Sequence, residues 1–278
     1  MEQLHSYLKR HGRAASPALD SICNQKDAHT TLLYWFTDLP AAIAEAQRTQ
    51  RPILSLRLLG RLDEELSCAN SRFFRKLLYP EARINRVLRE RFVLHWESVR
   101  PVPRVTIDFG NGKKLERTLT GNSAHVVLDI YGRPVDALPG LFSADVFLEL
   151  LVRAAAFGTT DRGRLARMHA DALEPVPPPP LPPSARVARS LEASMLAMTK
   201  HRVEGPTLRG VTPIGSDLDA DTNTNLALHD RVHEAFARRA VGPNVESFVG
   251  WIYRELFLMP PEDPALGLDV ADPFSAVA

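Results

Sequence analysis

The stretch RPILSLRLLG, residues 51–60, is followed after a six-residue connector by SCANSRFFRKLLY, residues 67–79. The first segment is apolar along most of its length, which is typical of a strand buried on both faces of a largely parallel sheet. In the second segment Ser67 is a suitable helix N-cap, and an apolar stripe at helical spacing follows between residues 73 and 78. The two segments predict a buried strand that leads into a helix, with Cys68 in the first helical turn.

The flanking segments extend this pattern on both sides. Residues 38–49, DLPAAIAEAQRT, predict a helix because Asp38 is a suitable N-cap and Pro40 suits the first turn. After the cysteine-bearing helix, EARINRVLRER at 81–91 predicts a further helix and FVLHW at 92–96 a second strand. A strand, a helix and a strand in this order predict two parallel neighbours joined by a right-handed crossover.

Two hairpins and a helix follow along the chain. Residues 104–119, RVTIDFGNGKKLERTL, alternate apolar and polar side chains around a Gly-Asn-Gly turn, which predicts a half-exposed hairpin. HVVLDIYGRPVDAL, residues 125–138, predicts a second hairpin that turns at Tyr131-Gly132. SADVFLELLVRAAAF, residues 143–157, predicts a helix, and we place the end of a domain there.

The C-terminal part of the chain begins with a proline-rich run, EPVPPPPLPPS, at 174–184. So many prolines exclude a helix or a central strand and favour a stiff polyproline spacer, with a docking site for an aromatic-lined groove as the alternative. Helical segments are predicted near 184–202, 222–240 and 244–258, and a proline-punctuated tail follows them.

Composition excludes several classes of function. With 34 Lys and Arg against 33 Asp and Glu, and no long run of one sign, the chain has no electrostatic footprint for nucleic acid or an anionic membrane. No stretch approaches the roughly 20 apolar residues of a membrane span, and the start has no signal-peptide core, so we expect a cytoplasmic protein. Two cysteines cannot build a disulfide framework, and a reducing compartment would keep both as thiols.

Cys68 is the residue whose position points to chemistry. At the first turn of a helix, backbone N–H groups and the helix dipole favour a thiolate over a thiol. In the stretch Ser67-Cys68-Ala69-Asn70-Ser71, a serine stands three residues after the cysteine. The Ser71 hydroxyl can donate a hydrogen bond to a thiolate, but it cannot resolve a mixed disulfide. Cys68 is either a reactive thiol or an inert structural one.

The order of helix, strand PILSLRLLG, Cys68-x-x-Ser71 on a helix, strand FVLHW and then HVVLDIYGRPV resembles the thioredoxin superfamily. More narrowly, SCANSRFFRKLLY, RPVPRVTIDFG and GNSAHVVLD resemble stretches of bacterial thioredoxin-family proteins of uncharacterised role. The resemblance covers residues 35–157 and implies an α/β, thioredoxin-like fold with an extra β-hairpin. A small α-helical C-terminal region would complete the chain.

This interpretation divides the chain into four parts. They are an N-terminal extension at 1–34, the thioredoxin-like domain at 35–157, a proline-rich linker at 158–184, and a helical C-terminal region with an extended tail at 185–278.

Two departures from the redox-active pattern of that family stand out. The family has a Cys-x-x-Cys motif, whereas this chain has only the first cysteine, Cys68. The family also has a cis-proline directly before the strand that faces the active site. When VVLDIYG is aligned with that strand, Ala124 stands in the place of this proline. A non-proline cis bond costs about 3 kcal/mol, so we expect a trans bond and a reshaped groove. The resemblance still places Ser123, Ala124 and His125 near Cys68, and Ser67 and Asn70 beside it.

The remaining candidates have simpler explanations beside the functional ones. His125 is either an imidazolium partner of a Cys68 thiolate or a partly buried sheet residue, and His95 is favoured as a sheet residue. Cys23 lies outside the part of the chain that resembles thioredoxins. It is either a resolving thiol that reaches Cys68 from a distance or an inert thiol.

A metal site is disfavoured by the sequence. His229 and His233 have the i, i+4 spacing of helical metal ligands, but the glutamate of a zincin is replaced by Asp230 and no third ligand is evident. No glycine-rich phosphate loop occurs either, so we predict no cofactor and no metal.

Three functions stay open at this stage. In the first, Cys68 exchanges with the disulfides of a protein or a small-molecule thiol, and an external thiol such as glutathione releases the adduct. In the second, the domain is a redox-inactive module that binds a protein partner. In the third, Cys68 senses peroxide by forming sulfenic acid.

Overall fold

A computed structural model of the chain describes residues 16–118, 121–157, 161–173 and 214–266. The helices within these ranges are α1 Ser16–Cys23, α2 Ala28–Thr31, α3 Leu39–Thr49, α4 Ala69–Phe73, α5 Ala82–Arg91, α6 Ala144–Ala156, α7 Arg162–Ala172, α8 Ile214–Ala237 and α9 Val245–Trp251. The strands are β1 Ile53–Leu59, β2 Val93–Arg100, β3 Arg104–Asp108, β4 Lys114–Thr118, β5 Ser123–Leu128 and β6 Pro134–Pro139. The predicted helix at 184–202 and the proline-rich run at 174–184 lie outside the described residues.

The main sheet has four strands in the order β2-β1-β5-β6. β1 pairs in parallel with β2, whereas β5 is antiparallel to both β1 and β6. Every residue of β1, β5 and β6 is buried, which fits the mainly apolar sequences of these strands. The buried polar exceptions are Ser55, Arg57, Ser123, His125 and Asp136. The structure is α/β and contains the predicted strands, but the expectation of a largely parallel sheet is wrong. The sheet is mixed, because only β1 and β2 pair in parallel.

The helix that follows β1 starts one residue later than predicted, because Cys68 and not Ser67 is its N-cap residue. Cys68 is the N-cap residue of α4, and the chain continues from α4 into a π-helical turn, Phe74–Leu78. The side chains of Phe73, Phe74 and Leu78 are buried in the core, as the apolar stripe predicts. The helix ends at Tyr79, before Pro80, whose ring cannot continue it.

The predicted hairpin at 104–119 is confirmed over the residues that the structure describes there. β3 and β4 pair in antiparallel register from Arg104 with Thr118 to Asp108 with Lys114, and they form a two-stranded sheet of their own. Gly110 and Gly112 adopt left-handed φ angles of 72° and 80° in the connecting turn, which few residues other than glycine adopt.

The C-terminal helices share the core of the sheet. Leu218 and Val232 of α8 and Phe248 of α9 belong to the same buried apolar cluster as β1 and β5. Beyond α9 the chain continues in a second π-helical turn, Ile252–Leu256, which buries Tyr253 completely. The C-terminal helices therefore help to form the core around the sheet.

The structure differs from the predicted linker at 158–184. Helix α7 occupies part of this range and buries Leu165 and His169. Its sequence, RGRLARMHADA, has only a short apolar face, so the helix depends on contacts with α8, which lies far away along the chain.

The N-terminal segment at 16–34 also packs against the domain. The indole Nε1 of Trp35 donates a hydrogen bond of 2.7 Å to the side chain of Gln25, and that of Trp96 donates one of 2.7 Å to the backbone of Asn24. Among the described residues, no helix combines the length and the apolar character that crossing a bilayer requires.

Candidate functional site

Cys68 lies at the junction of β1 and α4, and its side chain has no exposed surface. The residue has extended backbone angles, φ −58° and ψ 158°, and its carbonyl accepts a hydrogen bond from the amide of Arg72. Its own amide donates to the carbonyl of Leu59 at 3.3 Å, which ties the helix start to the end of the buried strand. The side chain thus occupies the predicted position at a helix N-terminus, within the core.

The polar residues of the Cys-x-x-Ser stretch are buried with the cysteine. Ser67, Asn70 and Ser71 have no exposed surface. The hydroxyl of Ser71 lies 2.6 Å from the hydroxyl oxygen of Ser67 and 2.8 Å from the carbonyl oxygen of Cys68. A hydroxyl has one hydrogen to donate, and the hydroxyl oxygen of Ser67 and the carbonyl oxygen of Cys68 both lie within its reach. Ser71 therefore stabilises the start of α4.

The loop before β5 covers Cys68. A Cβ atom added to Gly121 would lie 2.6 Å from the Cβ of Cys68, so the backbone at residue 121 packs directly against the cysteine side chain. The side chain of Asn70 donates a hydrogen bond of 2.8 Å to the side chain of Asn122, which fixes the loop to α4. Only glycine leaves enough room at position 121.

The C-terminal π-helical turn holds this loop in place. The buried hydroxyl of Tyr253 lies 2.9 Å from the carbonyl oxygen of Asn122 and 3.3 Å from that of Arg57. Burial, followed by the nearby Cys68, raises the pKa of Tyr253 well above its ordinary value, so the phenol keeps its proton and donates. Cys68, the Gly121-Asn122 loop and Tyr253 form a closed assembly, which we call the Cys68 site.

Ser123 and Ala124 begin β5 directly after the loop, opposite Leu58 and Arg57 of β1. The peptide bond before Ala124 is trans, as expected. Both residues are buried, and the hydroxyl of Ser123 has no hydrogen-bond partner among the described residues. This stretch, where the resemblance implies a substrate-facing loop, is thus part of the protein interior.

His125 is a core residue. Its Nε2 atom lies 2.7 Å from the hydroxyl oxygen of Tyr79, and its ring packs between those of Phe74 and Phe147, with centroids 4.7 and 4.9 Å away. Burial lowers the pKa of His125 to about 3. The imidazole is therefore neutral at pH 7 and supplies no positive charge to a thiolate.

His95 and Cys23 are buried as well. The Nδ1 atom of His95 lies 2.8 Å from the hydroxyl oxygen of Ser55 on the neighbouring strand, and burial, aided by Arg57, lowers the pKa of His95 to about 3. Cys23 belongs to a separate small apolar cluster, and burial raises the pKa of its thiol. No disulfide joins Cys23 to Cys68.

Two buried arginines lie on the cysteine-bearing helix and were not anticipated from the sequence. Arg72 donates a hydrogen bond of 2.7 Å to the carbonyl of Ser67. Arg75 is fully buried, and its guanidinium has no hydrogen-bond partner among the described residues, although Asp27 lies 3.5 Å from its Nη1 atom. Burial lowers the pKa of Arg75. The two guanidinium groups place positive charge near the start of α4.

A second buried polar cluster lies where β6, α7 and α8 meet. It contains Asp136, His169, His229 and His233. The i, i+4 pair on α8 was visible in the sequence, but Asp136 and His169 come from distant segments that only the fold brings together.

Comparison with known proteins adds no assignment, because no protein-family model, curated protein or solved structure matches the chain. The interpretation of both clusters therefore depends on their geometry.

Replacing Gly121 by alanine should destabilise the protein by about 1–3 kcal/mol, because the new methyl group overlaps the Cys68 side chain. Urea unfolding measures the change. Gly242→Ala is the matched control, since nothing lies within 4 Å of a Cβ at that position. In a Cys68→Gly background the Gly121→Ala change should cost markedly less. A Gly121→Ala variant as stable as the Gly242→Ala variant would contradict the close approach.

Proposed function

We propose that the chain is a thioredoxin-like protein-binding module in which Cys68 is a core thiol. The strand order β2-β1-β5-β6 supports the thioredoxin-like part of this proposal. A parallel strand-helix-strand unit is followed by an antiparallel strand pair and a helix, which fits the arrangement that the resemblance implies. The single observation that carries the redox-inactive part is the complete burial of Cys68 under Gly121 and Asn122.

Thiol-disulfide exchange requires contact between the thiolate and the sulfur of an incoming disulfide. In the Cys68 site the approach is occupied by the backbone of Gly121, which the chain's own Tyr253 holds in place through Asn122. The stretch that would bind a substrate backbone begins an inner strand whose pairing partners are β1 and β6. These features favour a scaffold that has kept the fold and lost the exchange reaction.

The β3–β4 hairpin is the surface that best fits a partner. Its two strands pair with each other and stand apart from the four-stranded sheet. One face carries Val105, Ile107 and Leu115 together with the exposed Arg117, and Phe109 follows in the turn. Ile107 and Phe109 are 44% and 58% exposed. A two-stranded hairpin with an exposed apolar face is marginally stable alone, so a protein that covers this face would stabilise it.

The first test measures the accessibility of Cys68. In a Cys23→Ser background, Cys68 should be alkylated at least about 100-fold more slowly in the native chain than in the urea-unfolded chain. The reason is that the buried thiol reacts only after the structure around it opens, which costs roughly 2.7 kcal/mol or more. As a control, a Thr106→Cys variant without the two natural cysteines should react equally fast in both states, since residue 106 is exposed. Smaller protection of Cys68 would contradict the core-thiol assignment.

The second test locates the partner. A photo-crosslinking amino acid placed at position 107 or 109 should form a covalent product with a partner protein in living cells, whereas position 106, on the opposite face, should not. The partner, once identified by mass spectrometry and purified, should bind the wild-type chain and lose at least about tenfold in affinity to a Phe109→Ser variant. Equal crosslinking from both faces, or unchanged affinity, would contradict the assignment of this surface.

Monothiol exchange is the second candidate, and the placement of Cys68 favours it. An N-cap cysteine with Arg72 and Arg75 on the same helix has surroundings that stabilise a thiolate. Its thiolate would attack one sulfur of a disulfide and expel the other as a thiolate, and an external thiol such as glutathione would then regenerate Cys68 by attacking the mixed disulfide. This reaction requires the Cys68 site to open, so rapid alkylation in the native state would transfer support to it.

A further inference from the structure

The buried cluster between β6, α7 and α8 has the composition of a metal site. Asp136 is 1% exposed, and His169, His229 and His233 are 0%, 4% and 2% exposed. One oxygen of Asp136 and one ring nitrogen each of His169 and His233 all lie within 4.8 Å of one another. Three histidines and a carboxylate are an unusual concentration of polar side chains for a protein core, where such groups need partners.

The hydrogen bonds of the cluster determine which atoms are available as ligands. The Nε2 atom of His169 lies 2.8 Å from the carbonyl oxygen of Val135, and a ring nitrogen can bond to a carbonyl only if it carries a hydrogen. In neutral His169 the lone pair therefore lies on Nδ1, which is 2.6 Å from Nδ1 of His233. A backbone contact of this kind typically fixes the ring orientation of a metal-bound histidine.

Hydrogen bonds also hold the carboxylate of Asp136 in a fixed orientation. One oxygen of Asp136 accepts hydrogen bonds from the backbone amide of Ala137 at 2.8 Å and from Nε2 of His229 at 3.1 Å. His229 thus orients the carboxylate in the way that outer partners orient metal ligands.

Imidazole nitrogens and a carboxylate oxygen converge here inside the core. Donors of these two kinds are the ones that divalent transition-metal ions bind. A cation bound at this place would also pair with a carboxylate that is almost completely buried.

We propose that Asp136, His169 and His233 bind one divalent transition-metal ion of the Zn²⁺ type, with His229 orienting the carboxylate. Imidazole and carboxylate donors suit Zn²⁺, which binds them at about 2.0–2.2 Å. Because the two Nδ1 atoms are closer than two ligands of one tetrahedral ion, binding would separate the rings slightly and leave the hydrogen of His233 on Nε2. The ligands come from β6, α7 and α8, so the ion would link the C-terminal helices to the sheet.

This site is independent of the proposed binding function and of Cys68. Its expected role is structural, because every ligand is buried and an ion that binds only the folded chain contributes directly to folding stability. The alternative is a hydrogen-bonded cluster without a metal, in which His233 donates from Nδ1 to His169. The two possibilities differ in whether zinc binds and in where it binds.

The test uses the full-length chain without an affinity tag, freed of metal by a chelator. Zinc should bind with a stoichiometry of one per chain and raise the melting temperature, because an ion that binds only the folded state stabilises it. Cobalt should bind in its place and give d–d absorption bands typical of tetrahedral nitrogen and oxygen ligands. His29→Gln, an exposed histidine, is the control and should behave like the wild type.

The variants Asp136→Asn and His233→Gln should each weaken zinc binding by about 100-fold or more and abolish the thermal shift, since the first removes the negative charge of a ligand and the second removes an imidazole ligand. Asp136→Asn keeps the shape of the side chain, and circular dichroism checks that each variant is folded. If a variant does not fold, the zinc titration and the cobalt spectrum of the wild-type chain still show whether the cluster binds a metal ion. A wild-type chain that binds no zinc, or cluster variants that bind it as tightly as the wild type, would overturn the proposal.

Discussion

The contact between the backbone of Gly121 and the side chain of Cys68 is the constraint on which much of the domain depends. It brings the loop before β5 onto the first residue of α4, at the carboxyl end of β1. Since β5 pairs with β1 immediately after this loop, the contact also helps to fix where that pairing begins. A larger residue at 121 would have to displace either the loop or the helix.

This contact also decides how the cysteine is interpreted. Cys68 lies at a helix N-terminus, the position that the sequence associates with a reactive thiol, whereas its complete burial keeps a disulfide from reaching it. Cys68 cannot react with a disulfide as long as the Gly121-Asn122 loop covers its side chain. The hydroxyl of Tyr253 donates a hydrogen bond to this loop, so the C-terminal π-helical turn contributes to the closure of the Cys68 site.

Local sequence patterns were sufficient to predict the secondary structure around Cys68. The continuous apolar run at 51–60, the stripe on the following helix and the Gly-Asn-Gly turn each depend on neighbouring residues, and the corresponding elements were found. The burial of Cys68 could not be predicted, because Gly121 and Tyr253 reach it from distant parts of the chain. For the same reason α7 was assigned to a linker, since the partner that stabilises it lies on α8. The histidine pair on α8 was noticed, but without Asp136 and His169 it lacked further ligands.

Native-state hydrogen exchange tests most directly whether the C-terminal helices close the Cys68 site. We expect peptides covering 245–259 and 53–59 to exchange through the same cooperative opening, with similar opening free energies and similar dependence on urea. A Tyr253→Phe variant should increase exchange in both regions together, because it removes a buried hydrogen-bond donor. Exchange of 245–259 that is about 100-fold faster than that of 53–59 would show that the C-terminal helices open independently, and would contradict a permanently closed site.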